Sequence, residues 1–393
     1  MDLRSKLPHV GTTIFTTMSQ LALEHQALNL SQGFPDFPVE PRLLEALQRH
    51  VLAGRNQYAP MPGVLELREQ ISRLVKRCYG RDVQAVDEVT VTSGATEALF
   101  VAIQAVVRPG DEVIVFDPAY DSYQPAVELA GGKTVHIQLQ APDFAVDWAA
   151  VERRISPQTK LIIVNSPHNP TGAVFDAADW QALTELVQRH GLFCISDEVY
   201  EHMVFQHASE PTRQLSANCY PALAERCFIV SSFGKTFHVT GWKLGYCVAP
   251  KQLSVEFRKI HQYVTFSSFT PAQYAIAELL ETAPDLVSGL AAFYQQKRDL
   301  FAHLLQGSAL QLLPCRGTYF QLADYSAISE LDDVAFCRQL TIEHGVAAIP
   351  LSVFSRKEQD QRIIRFCFAK QTATLEQAAA RLQLLAARPP RTC

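Results

Sequence analysis

One pattern repeats through the middle of the chain. A short apolar, β-branched run stops abruptly in small or polar residues, and a helical stretch often follows. It occurs in EVTVTSGATEALFVAIQAVV, VIVFDPAYDSY, LIIVNSPHNPTG, LFCISDEVY and CFIVSSFGKTF. Near-continuous apolar runs suit strands covered on both faces. Their alternation with helical stretches such as DAADWQALTELVQRHG indicates βαβ units and a largely parallel sheet. The expected fold class is α/β, with helices flanking a central sheet.

The two ends read differently. Residues 38–54 predict an amphipathic helix opened by prolines. From about 286 the chain is helical, shorter strand candidates follow in LQLLPCRGTYFQLA, GVAAIPLSVF and RIIRFCFAK, and a last helix is expected over 374–387. A chain of 393 residues exceeds the size at which one core usually divides. The expected division is an arm over 1–37 that joins a smaller domain, a large domain over 38–285, and the rest of the smaller α+β domain over 286–393.

Composition excludes several functions. A net charge of -5 gives no support for nucleic acid or an anionic membrane as partner. The first residues carry no apolar signal core, and no stretch approaches the ~18 apolar residues of a membrane span, so a cytoplasmic protein is expected. Nine cysteines, an odd number with no C-x-x-C, read as small core residues in a reducing compartment. No histidine spacing or carboxylate cluster suggests a metal, and His168, in a turn, is not expected to be catalytic.

In an open α/β sheet, ligands bind beyond the carboxyl ends of the strands. Those ends carry Gly94, Ala95 and Thr96, then Tyr120, Asn165 and Asn169, Asp197, and Ser232 with Lys235. Each has a plain explanation alone. SGATEA is an anion-binding helix start or a simple strand-to-helix turn. Asp197 pairs a cation or, with Glu198, caps a helix. Lys235 and Lys243 are a nucleophile and a phosphate contact, or two solvated lysines; their aromatic, low-charge surroundings argue against the second. What strengthens the functional alternative is their convergence on one rim.

The order N-P-T-G, S-D-E-V-Y, S-x-G-K-T and an arginine in R-x-C-F resembles the fold-type I pyridoxal-phosphate aminotransferases. LSQGFPDFP, NQYAPMPG, TSGATEAL and SSFGKTFHVTGWKLGY resemble the kynurenine/glutamine aminotransferase-like branch, and its bacterial methionine aminotransferases most of all. The resemblance implies pyridoxal phosphate as cofactor, held as a Schiff base on Lys235. It implies Asp197 on the ring nitrogen, Tyr200 and Asn169 on the phenolic oxygen, and Tyr120 stacked on the ring. Gly94, Ala95, Thr96, Ser232 and Lys243 match the phosphate cup. Arg365 matches the grip on the substrate α-carboxylate, assisted by Asn169, and Gly33 the loop over the substrate. Tyr58 matches a tyrosine that reaches the neighbouring subunit's phosphate, which implies a homodimer with shared active sites. Phe15, Phe266 and Tyr319 are expected to line an apolar side-chain pocket.

Two departures from the family matter. Many relatives have arginine where Lys243 stands, so its phosphate contact would be monodentate. No counterpart is evident for the second arginine that grips a distal carboxylate. The expected activity is therefore ping-pong transfer of an amino group from a neutral apolar or aromatic amino acid (methionine favoured, then aromatic residues, kynurenine or glutamine) to a 2-oxo acid. A carbon–sulfur β-lyase on the same scaffold is the alternative. A transcription regulator would need a helix-turn-helix region ahead of segments that already begin near residue 5, and a dead scaffold would not fill every key position.

Overall fold

The computed structural model describes residues 3–206, 214–356 and 360–388; of the nine cysteines, Cys393 lies outside them. A short strand in the arm, β1 (Leu28–Asn29), precedes the main sheet. That sheet is built from β2 (Val89–Thr92), β3 (Glu112–Asp117), β4 (Lys133–Gln138), β5 (Thr159–Asn165), β6 (Phe193–Asp197), β7 (Cys227–Ser232) and β8 (Gly245–Val248). Their order is β2-β8-β7-β6-β5-β3-β4.

The apolar runs are buried on both faces, as their lack of alternation requires. Ile162 and Val164 of β5 enter one core with Ile114 and Phe116 of β3. Leu161 and Ile163 enter another with Val113 and Val115, against Leu99 and Ile103 of the helix Ala95–Val106. The two-residue period of a strand thus splits each run between two helical layers.

The sheet is parallel except for β8, which runs against both β2 and β7. A parallel neighbour needs a helical crossover. The connection over 233–244 holds only the short helix Phe233–Thr236 and the turn Thr240–Trp242. It cannot cross the sheet, so the chain returns beside β7 with Ser232 opposite Gly245. Gly245 allows a close approach, since a Cβ there would lie 2.7 Å from the Ser231 carbonyl and 3.0 Å from the Ala95 nitrogen.

A second, antiparallel sheet holds β9 (Gln311–Leu312), β10 (Phe320–Asp324), β12 (Ile349–Pro350) and β13 (Ile363–Cys367), while β11 (Val346–Ala347) pairs in parallel with β1. Arm and C-terminal segment therefore share backbone bonds. The expected proline-opened helix is Pro41–Leu52, and the stretch from 286 is broken at Gly289 into Asp285–Ser288 and Leu290–Leu304. The last helix ends at Leu382, short of the expected 387, because the chain turns off so that the Arg388 N–H reaches the Ala327 carbonyl. The arm also contains a helix, Ile14–Glu24, that the sequence did not suggest; Thr13 caps it, and Met18, Leu21 and Ala22 are buried. None of the described helices is long and apolar enough to cross a membrane.

Candidate active site

A cavity of ≈ 200 Å³ opens at the carboxyl ends of the strands of the large sheet. Its lining gathers Gly94, Ala95, Thr96, Tyr120, Asn165, Asn169, Asp197, Tyr200, Ser232, Lys235 and Lys243 from the ends of the seven-stranded sheet and the segments beyond them, Gly33 and Phe15 from the arm, and Arg365 from β13. Three expected residues are not in that lining. Tyr58 and Phe266 lie on the outer surface, 83% and 41% exposed, with their rings edge to face at 5.4 Å. Tyr319 is fully buried and meets the site through its hydroxyl.

Lys235 stands on the short helix Phe233–Thr236. Its Nζ donates to the Tyr319 hydroxyl at 2.9 Å and to the Gly33 carbonyl at 3.3 Å. Burial pulls its pKa from the ordinary lysine range to about 8; Cys367 opposes this, while the cations Lys243 and Arg365 assist it. The amine is thereby nearer to its nucleophilic, neutral form at physiological pH.

Asp197 ends β6 and is 3% exposed. Its carboxylate accepts from the Tyr123 hydroxyl at 2.6 Å and from the Val199 N–H at 3.3 Å. Burial raises its pKa to about 6, more than these bonds lower it. Turns rather than a helix follow it, so it caps none. Glu198 faces elsewhere, accepting from Ser196 and the Ala217 N–H.

The helix Ala95–Val106 begins at Gly94 (φ 78°) without a side-chain cap. Its first N–H groups are free for an anion. The Lys243 side chain lies alongside, with Cε and Nζ 3.4 and 3.5 Å from where a Gly94 Cβ would stand. Thr96 and Tyr120 share a hydroxyl contact of 3.3 Å. Asn165 aligns the neighbouring turn: it donates to the Asp197 carbonyl at 2.8 Å and accepts from the Asn169 N–H at 2.7 Å.

Arg365 is 1% exposed. It donates through Nη1 to the Asn169 side chain at 2.7 Å and through Nη2 to the Ser31 carbonyl at 3.3 Å, while its Nε has no partner. The guanidinium lies 3.9 Å over the Phe320 ring, a contact the sequence did not suggest. Burial lowers its pKa to about 10, so it stays charged. It forms no ion pair with a carboxylate within 4.0 Å among the described residues. A buried guanidinium in the lining of a cavity, paired with no carboxylate, calls for an incoming anion.

These donors fit pyridoxal phosphate. An uncapped helix start with a lysine suits the phosphate, a buried carboxylate without a cation suits a protonated ring nitrogen, and a lysine of lowered pKa suits the aldehyde. The alternating sheet and this site define a fold-type I, pyridoxal-phosphate-dependent transaminase. The chain belongs to the class I and II aminotransferases, whose family model matches residues 25–382. It is 54% identical to methionine aminotransferase of Escherichia coli over 97% of this chain and 98% of that one. The corresponding crystal structure superposes with a TM-score of 0.95, covering 98% of this chain and 100% of that chain. N-succinyldiaminopimelate aminotransferase from Mycobacterium tuberculosis is 39% identical with a TM-score of 0.93, covering 98% and 100%. Human kynurenine–oxoglutarate transaminase 1 is 32% identical, over 91% of this chain and 92% of that one. Among the described residues no group of three or more His, Cys, Asp or Glu is arranged to hold a metal.

Proposed function

We propose that this transaminase takes the amino group of a neutral amino acid with an apolar or aromatic side chain, methionine foremost, and delivers it to a 2-oxo acid. One observation carries the choice. The cavity lining contains three cations, Lys235, Lys243 and Arg365. Two are needed for the cofactor's aldehyde and phosphate, which leaves one for the α-carboxylate and, among this subunit's described residues, none for a second, distal carboxylate. Phe15 and Phe320 supply apolar wall instead. The relatives that act on methionine and kynurenine by name support the same choice.

When bound, the cofactor supplies an aldehyde and an electron-withdrawing ring. Lys235 would be its covalent anchor, and the freed Nζ would take the substrate Cα proton and give one back. Asp197 would hold a proton on the ring nitrogen. Tyr200 and Asn169 would bind the phenolic oxygen, and Tyr120 would cover the ring. Gly94, Ala95, Thr96, Ser232 and Lys243 would bind the phosphate. Arg365 orients the α-carboxylate, with Asn169 fixing the guanidinium. Gly33 closes the arm over the site, where Phe320 and Tyr319 leave no room for a Cβ: the nearest ring atoms would be 2.7 and 3.2 Å away.

The exposed pair Tyr58 and Phe266 supports a homodimer in which each subunit completes the other's site. Seven described cysteines, Cys78, Cys194, Cys227, Cys247, Cys315, Cys337 and Cys367, are free thiols, which supports a reducing, cytoplasmic setting. The shared bonds of β1 and β11 support assigning 1–37 and 286–393 to the small domain and 38–285 to the large one. The test is a panel of amino donors with one 2-oxo acid. Methionine should exceed aspartate in kcat/KM by about tenfold or more, because a distal carboxylate would be desolvated without a cation. Equal use of aspartate would defeat the proposal, and release of pyruvate and ammonia from cystathionine at the same rate would favour the lyase.

A further inference from the structure

Tyr319 holds the amine of Lys235 with a polar group where an apolar wall was expected. The turn that presents it is fixed. A Cβ on Gly317 would lie 2.8 Å from the Pro167 and Val174 side chains and 2.9 Å from the Met203 carbonyl, and Thr318 is held at φ 67° with its N–H on that same carbonyl at 3.0 Å. The Tyr319 ring packs edge to face on Tyr200 at 5.1 Å and on Phe320 at 4.9 Å. Its hydroxyl donates to the Gly33 carbonyl at 2.6 Å and accepts from Lys235 Nζ at 2.9 Å. Nζ itself reaches the same carbonyl at 3.3 Å, so amine, phenol and carbonyl close a triangle.

The phenol has one proton, directed to the Gly33 carbonyl at 2.6 Å, with the Tyr200 hydroxyl as a second acceptor beside it. Toward Lys235 it can therefore only accept. An acceptor stabilises an ammonium more than a neutral amine. Other groups that act on Nζ are Asp197 at the end of β6, Cys367 on β13, and the cations Lys243 and Arg365, with the Tyr200 ring 5.6 Å away. The two cations and the burial favour the neutral amine; the phenol and carbonyl oppose them.

We propose that Tyr319 is a positioning residue for Lys235: with the Gly33 carbonyl it fixes the freed Nζ and retains on it the proton taken from the substrate Cα until that proton is returned. Tyr319 keeps its own proton throughout, and the transferred proton travels only between carbon and Nζ. This rests on Lys235 being the covalent anchor and proton carrier proposed above.

The test begins without cofactor. Competitive labelling of the full-length apo protein with acetic anhydride, read at Lys235 by peptide mass spectrometry, gives the pH midpoint at which the amine becomes neutral. Tyr319→Phe should lower this midpoint by about half a unit or more relative to wild type. In the loaded enzyme, the first half-reaction with methionine should slow about tenfold while KM changes less than twofold, since Arg365 is untouched. A second variant, with 4-aminophenylalanine at position 319, still donates to Gly33 but accepts poorly. It should lower the midpoint in the same direction even if Tyr319→Phe does not fold. An unchanged or raised midpoint in a folded variant overturns the proposal. Lys235→Ala with full transamination would overturn the underlying role of Lys235 instead, and because the labelling needs no cofactor the two failures are separable.

Discussion

Arg365 of β13 and Asn169 beyond β5 are joined by a 2.7 Å hydrogen bond that links the four-stranded sheet to the rim of the seven-stranded one. The guanidinium is thus oriented before any substrate arrives. Its orphan Nε and its stack on Phe320 leave it short of an anion. Arg365→Gln should lower kcat/KM for methionine by roughly 10²–10³-fold, as expected for losing a charge-assisted, bidentate contact worth ~3–4 kcal/mol. The decarboxylated analogue 3-methylthiopropylamine should lose far less. Arg365→Lys should not rescue, because an ammonium cannot reproduce the planar fork. Steady-state kinetics on both substrates decide this.

Lys235 is the predicted attachment point. Borohydride treatment of the loaded enzyme should bleach its visible-edge absorbance and leave the reduced cofactor on the peptide containing Lys235. Lys235→Ala should abolish transamination, because it removes both the anchor and the proton carrier. Label on a different lysine would contradict the assignment.

Asp197 couples stability to function. Its carboxyl is raised to about 6 from an ordinary 3.8. Between those two pH values the folded state binds more protons than the unfolded one, so the cofactor-free protein loses stability as pH rises through that window. At pH 7 the cost is on the order of 3 kcal/mol. Asp197→Asn should therefore melt higher than wild type without cofactor, yet lose most of its activity, since an amide cannot hold the ring nitrogen protonated. In the wild type, cofactor affinity should weaken as pH falls below about 6, where the carboxylate is neutralised. Calorimetry with and without cofactor, and a pH series of cofactor titrations, measure both effects.

Lys243 adopts a left-handed backbone (φ 50°) that brings its side chain against Gly94. Lys243→Ala should raise the cofactor dissociation constant by about tenfold or more. It should also raise the labelling midpoint of Lys235, because one of the cations that lower it is gone. Fluorescence titration and labelling of the apo protein provide the two readings.

Much of this site was legible because strand ends carry it. Asp197, Asn165 and Ser232 close their apolar runs, and a run buried on both faces can end only at a rim. Other features depend on contacts that no local pattern encodes. Tyr319 meets Lys235 across 84 positions and Gly33 across 286. Ring and hydroxyl look alike in a sequence, so the apolar expectation for Tyr319 missed its polar end. The helix Ile14–Glu24 was masked by Thr12, Thr13, Ile14, Thr16 and Thr17, β-branched residues that favour helix weakly. Tyr58 and Phe266 sit beside each other on the outer surface, away from the cavity, so their place depends on more than this chain's own strand ends.

The return of β8 beside β7 has a further consequence. Ser232 and Gly245 are paired across the sheet, so both ends of the segment between them are clamped. Lys235 and Lys243 both hang from that clamped arc, and the distance between them is set by how many residues the arc contains. A residue inserted or removed there would leave the ends in place and shift one lysine relative to the other. With the roles proposed for the two lysines, the arc would work as a ruler between the groups that hold the aldehyde and the phosphate: its length, and not only its side chains, would constrain the enzyme.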